Sequence, residues 1–249
     1  MQRGSRHGSS SIGVARVARA APDGCSLVLG SWVTHVVNGA VYALKYDVLH
    51  DFEPACLIAT NPLRIVAKKA VPANDLGELI AWLRANSDKP TQETTGAGSA
   101  LHVAGAFFQE AGICLPCVAY RGGALAMQDL VAGQIDMMID VAANALPQVS
   151  AGSIKAYAVT DKRRMAAAPA IPTVDEAGLP GHARFDWFAI WAPKSTPNGI
   201  VRKLNAAVAG ALADLSVRRR LADLGLEVMP PEQQTPEALG RYHKAETDR

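Results

Sequence analysis

An α/β fold with one or two mostly parallel sheets is what the sequence predicts, and three observations predict it. Short apolar runs of strand length alternate with stretches that repeat at helical spacing, and helices between strands impose parallel crossovers. With 249 residues, 49% of them apolar, the chain can bury one large or two small cores of that class. Two strand-to-helix junctions, at residues 94–102 and 118–124, are glycine turns. In α/β sheets such turns lie beyond the carboxyl ends of the strands, where ligands bind.

In chain order, residues 1–11 mix Gly, Ser, Arg and His without periodicity and read as loop or disorder. Residues 12–21 are alanine-rich and read as a helix, stopped by the turn signature Pro22-Asp23-Gly24. A short apolar strand over 25–29 follows, then a loop, Ser31-Trp32-Val33-Thr34-His35, whose polar groups face either a ligand or solvent. Residues 54–59 and 63–67 make two more short strands. Asn74 or Asp75 caps the next helix, Glu78 supports the cap, and Leu76, Leu79, Ile80 and Leu83 form its apolar face.

The next junction is Thr94-Thr95-Gly96-Ala97-Gly98-Ser99-Ala100-Leu101-His102. Ser99 is a good N-cap, and Leu101, Ala104, Phe108 and Ala111 continue at helical spacing. Two glycines allow a tight turn and a close approach to the backbone. The first amides of such a helix lack internal partners and carry about half a positive charge, so a small anion fits there. Val118-Ala119-Tyr120-Arg121-Gly122-Gly123-Ala124 repeats the device with a cation built in. Its helix ends at Gly133. Residues 135–139 read as a strand with Asp136 and Asp140 at its ends, and Pro147 as the start of a short helix ending near Gly152.

A strand over 154–160 and a proline-rich loop over 162–172 come next. The aromatic strand Asp186-Trp187-Phe188-Ala189-Ile190-Trp191 precedes a long helix capped by Thr196 and opened by Pro197, with Ile200, Leu204, Val208 and Leu212 on its face. Residues 226–229 form a last strand, and Thr235-Pro236 opens a last helix.

A net charge of +2 argues against a polyanionic partner such as nucleic acid, and Arg218-Arg219-Arg220 is best explained as a solvated helix face. No apolar run is long enough to span a membrane. Residues 1–20 hold arginines but no continuous apolar stretch, so they do not read as a signal peptide. Cys114-Leu115-Pro116-Cys117 has redox or zinc spacing, but it enters a strand instead of opening a helix, and no second pair completes a zinc site. The favoured reading of these cysteines is buried small residues, with Cys25 and Cys56 left unassigned.

Leu101 stands where a dinucleotide fingerprint needs its third glycine, and the chain has no phosphate loop and no Gly-x-Ser-x-Gly elbow. Nothing gives His102 a catalytic partner, and nothing gives Asp136 and Asp140 metal geometry. An anion-binding module is therefore the better reading of the residues.

Several short motifs occur in one order: Pro22-Asp23-Gly24, Tyr46-Asp47 with Asp51-Phe52, Gly96-x-Gly98-Ser99-x-x-His102, and Tyr120-Arg121-Gly122-Gly123. Ala151-Gly152 before Lys155, Pro172-Thr173-x-x-Glu176-Ala177-Gly178, Trp187, and Ala192-Pro193-x-x-x-Pro197 complete the set. From about Gly13 onward the chain resembles the Bug family, the extracytoplasmic solute receptors of tripartite tricarboxylate transporters. The resemblance implies a two-lobed type II periplasmic binding protein fold that clamps a small carboxylate, with 1–67 and 185–249 as the first lobe and 68–184 as the second. It implies that Gly96, Ala97, Gly98 and Ser99 hold one carboxylate by amide and hydroxyl. Tyr120, Arg121, Gly122, Gly123 and Ala124 would form the facing loop, and Thr34, His35 and Asp136 would be rim contacts.

Expected with it are a periplasmic location, a monomer, transporter subunits in the membrane as partners, and no cofactor, metal or catalysis. The chain departs from the family pattern in ways that lead to the expectation of a first lobe lacking its opening strand and helix, and of a missing closing segment. Cys25 stands where the family has tyrosine. A truncated, non-functional receptor fragment stays open as an alternative. So does an enzyme: a small-acid hydrolase, or a thiol oxidoreductase working through Cys114 and Cys117.

Overall fold

The structure, a computed structural model, describes residues 11–86, 90–94, 113, 115–165, 168–180 and 185–248. The Gly96–Ser99 turn with the helix expected after it, His102, Cys114 and nearly all of the 1–11 segment lie outside the described residues. In chain order the elements are α1 (Ser11–Ala18), β1 (Val28–Ser31), a π-helical turn (Val33–Val37) running into α2 (Asn38–Val41), β2 (Phe52–Lys68), α3 (Leu76–Ala85), β3 (Gln92–Thr94) and β4 (Cys117–Ala119). They continue with α4 (Gly123–Val131), β5 (Met137–Val141), α5 (Ala142–Ser150), β6 (Ile154–Val159), β7 (Phe185–Pro193), α6 (Asn198–Ala213), α7 (Leu215–Asp223), β8 (Glu227–Val228) and α8 (Pro236–Asp248). The chain divides into two compact units. Unit 1 comprises Met1–Thr60, Asp186–Ala222 and Glu227–Arg249, and unit 2 comprises Asn61–Phe185 and Asp223–Leu226.

In place of two short strands, residues 52–68 form the single strand β2. Ala59 and Thr60 pair with β8 in unit 1, and the ladder of unit 2 begins at Leu63. Pro62 sits between the two ladders, where its missing N–H removes no described sheet bond.

In unit 1, β1 is antiparallel to β7, Val28 facing Trp191 through Ser31 facing Phe188. β2 neighbours β7 and is antiparallel to β8. The expectation of mostly parallel pairing is therefore corrected here. The unit's core gathers Val14, Val28, Phe52, Leu57, Trp187, Trp191, Met229 and Leu239. The loop expected at 31–35 is instead helical from Val33. Thr34, His35 and Val37 turn inward, and Asn38 N–H donates to the Val33 carbonyl to close the wide turn. Thr196 is not the cap of α6: its hydroxyl donates to the Pro193 carbonyl at 2.7 Å, and Pro197 holds the N-cap position with no side-chain bond.

Unit 2 has the strand order β6-β2-β5-β3-β4. β3 is parallel to β4 and β5, with α4 as the crossover between β4 and β5, while β2 is antiparallel to β5 and β6. β2 enters from unit 1 with no crossover helix of this unit before it, so the parallel rule does not set its direction. Asp75 caps α3, accepting from Glu78 N–H at 2.8 Å while Glu78 accepts from Asn74 N–H at 2.8 Å, which is a capping box. Leu76, Leu79, Ile80 and Leu83 then pack on Ile65, Met137, Ile139 and Tyr157 on one sheet face. The other face joins Val66 and Met138 to Ala126, Met127 and Leu130 of α4 and Ala145 of α5. Each fully buried leucine contributes roughly 1.5–3 kcal/mol. Pro147, expected to open a helix, lies inside α5, where its ring forfeits one backbone bond.

Candidate functional site

β3 and β4 run parallel, Thr94 facing Ala119, and Tyr120 N–H donates to the Thr94 carbonyl at 2.8 Å. The second glycine turn thus leaves the end of β4 beside Thr94 at the end of β3. Of the first turn, Thr94 is described and Gly96, Ala97, Gly98 and Ser99 lie outside the described residues. The second turn is in place. Gly122 is extended and has no side chain to cap α4, so among the described residues no N-cap side chain accepts from its opening amides. Arg121 and Ala124 are exposed and Gly122 and Gly123 half-buried. The Tyr120 hydroxyl donates to Asp129 at 2.7 Å, and burial together with that carboxylate pushes its pKa up to about 12. It acts as a fixed donor that ties the turn to the far end of α4.

The remaining expected residues are placed elsewhere. Asp136 stands just before β5, at the end opposite the turns. There it pairs with Lys68 at 2.7 Å and accepts from Thr91 N–H at 2.7 Å. Those bonds occupy it in holding strand starts together, and the structure does not bring it to the turn at 120–124. Thr34 and His35 are buried in unit 1. The His35 ring lies flat on Trp191, centroids 3.8 Å apart and planes 4° apart, and its carbonyl bonds His243 Nε2 at 2.7 Å. A Cβ on Gly30 would come within 2.3 Å of that ring, so glycine is what lets β1 pass so close. Burial and the nearby His243 lower the His35 pKa to about 3. A ring this enclosed packs in the core of unit 1.

Cys117 opens β4 as expected, but it is exposed where burial was expected, because β4 is the last strand of its sheet's order. Its sulfur accepts from Gln92 Nε2 at 3.2 Å. Among the described residues, no three His, Cys, Asp or Glu side chains gather to hold a metal ion, and no helix is long and apolar enough to cross a membrane.

The residues that sequence reasoning passed over are Glu93, Arg64 and the role of Asp140, all buried in unit 2 beside the turns. Burial, followed by the charge of Asp140, raises the Glu93 pKa to about 8. Burial also raises that of Asp140, against the pull of Val141 N–H, the Asn144 amide and the Arg64 charge. For Arg64 and Asp140 the available signal was a charged residue in or at the end of a short apolar run, 63–67 and 135–139; Glu93, in the polar strand Gln92-Glu93-Thr94, carried none.

A family profile described as the tripartite tricarboxylate transporter family receptor matches residues 5–245. Among solved structures, the chain is similar to MatC from Rhodopseudomonas palustris with bound malate, at 36% identity and TM-score 0.84, over 96% of this chain and 82% of that one. It is similar to the periplasmic binding protein BugD at 36% identity and TM-score 0.83, over 96% of this chain and 80% of that one. A second R. palustris protein, with adipate, matches at 31% identity and TM-score 0.84, over 97% of this chain and 81% of that one.

Proposed function

The chain belongs to the tripartite tricarboxylate transporter receptor family, and on that premise we propose that it captures a small carboxylate in the periplasm and presents it to transporter subunits in the membrane. It is a solute-binding receptor, not an enzyme. The carrying observation is the uncapped start of α4 at the Tyr120–Ala124 turn, which leaves from the strand end next to Thr94. Helix amides without internal partners, with Arg121 exposed beside them, favour a carboxylate oxygen. Gly96, Ala97, Gly98 and Ser99 supply the neighbouring set of amides and a hydroxyl in this reading. The malate of MatC and the adipate of the second R. palustris protein belong to the ligand class proposed for this chain.

Calorimetric titration with malate, succinate, adipate and citrate tests it. Saturable heat from at least one acid, absent for the matching diamide and with the ligand recovered unchanged, is expected. Silence from all four at millimolar concentration, with a folded circular-dichroism spectrum, would overturn the reading.

A further inference from the structure

The carboxylate site makes no use of α7, Leu215-Ser216-Val217-Arg218-Arg219-Arg220-Leu221-Ala222-Asp223, a helix that buries none of its residues. Val217 and Leu221, four apart, are half-buried and mark its inner side. On the outer side stand Leu215, Arg218, Arg219 and Ala222, at i, i+3, i+4 and i+7, all exposed, with the exposed Arg220 beside them. Leu215 is 81% exposed, more than any other large apolar side chain described. Lys68, Arg164 and Lys244 are paired with Asp136, Glu176 and Asp248, whereas none of the three α7 guanidinium groups has an ion-pair or hydrogen-bond partner among the described residues. Three like charges in a row repel one another, and an anionic partner would relieve that repulsion. Arginine's planar fork matches carboxylates, and arginine is enriched in protein interfaces where lysine is depleted.

We propose that the outer face of α7 docks on an acidic surface of the transporter's membrane subunits, with Arg218, Arg219 and Arg220 meeting carboxylates and Leu215 seated in an apolar recess beside them. This rests on the reading of the chain as a receptor that presents its ligand to those subunits, and it names the surface that makes the contact. A protein partner fits α7 better than an anionic bilayer does. Asp214 precedes the helix and Asp223 ends it, so acids bracket the arginines. A uniformly negative surface repels both acids, whereas a protein can place its carboxylates opposite the guanidinium groups alone. Leu215 is also the one large apolar side chain on the outer stripe, which is too little to insert among lipid tails. In the free receptor the three arginines are solvated, and docking replaces that water with carboxylate oxygens.

The test is interferometric binding of the full chain, in a mixture of malate, succinate, adipate and citrate, to the cognate membrane subunits held in neutral phosphatidylcholine nanodiscs. Changing Arg218, Arg219 and Arg220 together to Gln should weaken binding about tenfold or more, three exposed charge pairs acting at once. The same change should flatten the salt dependence that the parent shows. Leu215→Ser should weaken binding while leaving that salt dependence in place. A matched control removes three other exposed cations, Arg16→Gln, Arg19→Gln and Lys45→Gln, and should bind as the parent does. Calorimetric titration with the four acids should be the same for the parent and both triple variants. Equal binding by the parent and the α7 triple variant, or an equal loss in the control, would overturn the inference. Tighter binding to protein-free phosphatidylglycerol nanodiscs than to the subunits would also overturn it and assign α7 to the membrane surface. No binding to the subunits beside normal calorimetry would sink the docking and leave carboxylate capture standing; docking without heat from any acid would count against capture alone. If the α7 triple variant does not fold, Arg219→Gln and the parent's own salt dependence decide.

Discussion

Unit 1 and unit 2 bury polar groups of opposite kinds. Unit 1 encloses His35 and His243 among Trp187, Trp191 and Phe52, and burial lowers both histidine pKa values. Unit 2 encloses Glu93 and Asp140, and burial raises both. One effect, the loss of water around a charge, acts with opposite sign on a base and an acid. The two α/β units should therefore respond to pH in opposite directions. The histidines serve packing, since a flat ring matches the Trp191 face. The acids lie near the strand end that adjoins the Tyr120–Ala124 turn.

The most severe way to break this comparison is Trp191→Ala, which removes the surface under His35 and opens a large cavity. It should cost unit 1 roughly 3–5 kcal/mol, read by urea unfolding, while hydrogen exchange in β5 and β6 keeps its protection. Equal loss in both units would mean that they unfold as one.

Next is the acid limb of unit 1. The unfolded chain binds more protons than the folded one between the ordinary His35 pKa of 6.5 and its folded value of about 3. Stability is full above pH 6.5 and falls as pH drops towards 3, by on the order of 4 kcal/mol for this ring. Asp186, raised from 3.8 to about 6, works the other way, but its shift is the smaller and His243 adds to the His35 side. Three of the four tryptophans, Trp32, Trp187 and Trp191, belong to unit 1. In a Trp82→Phe background, fluorescence-detected unfolding at pH 4.5 and 7.5 reports that unit alone, and His35→Phe should flatten the difference.

Unit 2 should show the mirror image. The folded Glu93 pKa of about 8 lies above the ordinary 4.5, so its contribution is present below pH 4.5 and is lost as pH rises through 8. Glu93→Gln should remove on the order of 2–3 kcal/mol of alkaline sensitivity. Hydrogen exchange of β3 and β5 at pH 6 and 9 measures it; identical pH slopes in parent and variant would erase the contrast.

Two smaller effects sharpen the ligand side. Ser99→Ala should weaken carboxylate binding by about ten- to a hundredfold, one hydrogen bond to a charged group. Arg121 is exposed, so Arg121→Ala should cost at most about 1 kcal/mol and less in high salt. A titration series at two salt concentrations separates them.

Much of this was legible in the chain. The capping box at Asn74, Asp75 and Glu78 and the apolar face of α3 involve residues within one or two turns of each other, so periodicity shows them. The turn at Tyr120–Ala124 carries its own glycines, and local spacing is enough to place it at a strand end. His35 could not be read, because its Trp191 and His243 neighbours lie far along the chain. Asp136 and Asp140 looked alike, being four residues apart around one strand. Only the sheet register separates them, one bonded to Lys68 and Thr91 at the strand's start, the other facing Arg64 near its end.

Local order in this protein is thus largely a property of the sequence by itself: the strand–helix alternation, the α3 capping box and the Tyr120–Ala124 turn all rest on residues a few positions apart. Tertiary structure alone decided which polar residues lose their water. It carried β2 through two sheets past Pro62, laid His35 on Trp191, and set Glu93 beside Asp140. Desolvation and charge coupling depend on neighbours brought from distant parts of the chain, and no local pattern encodes them.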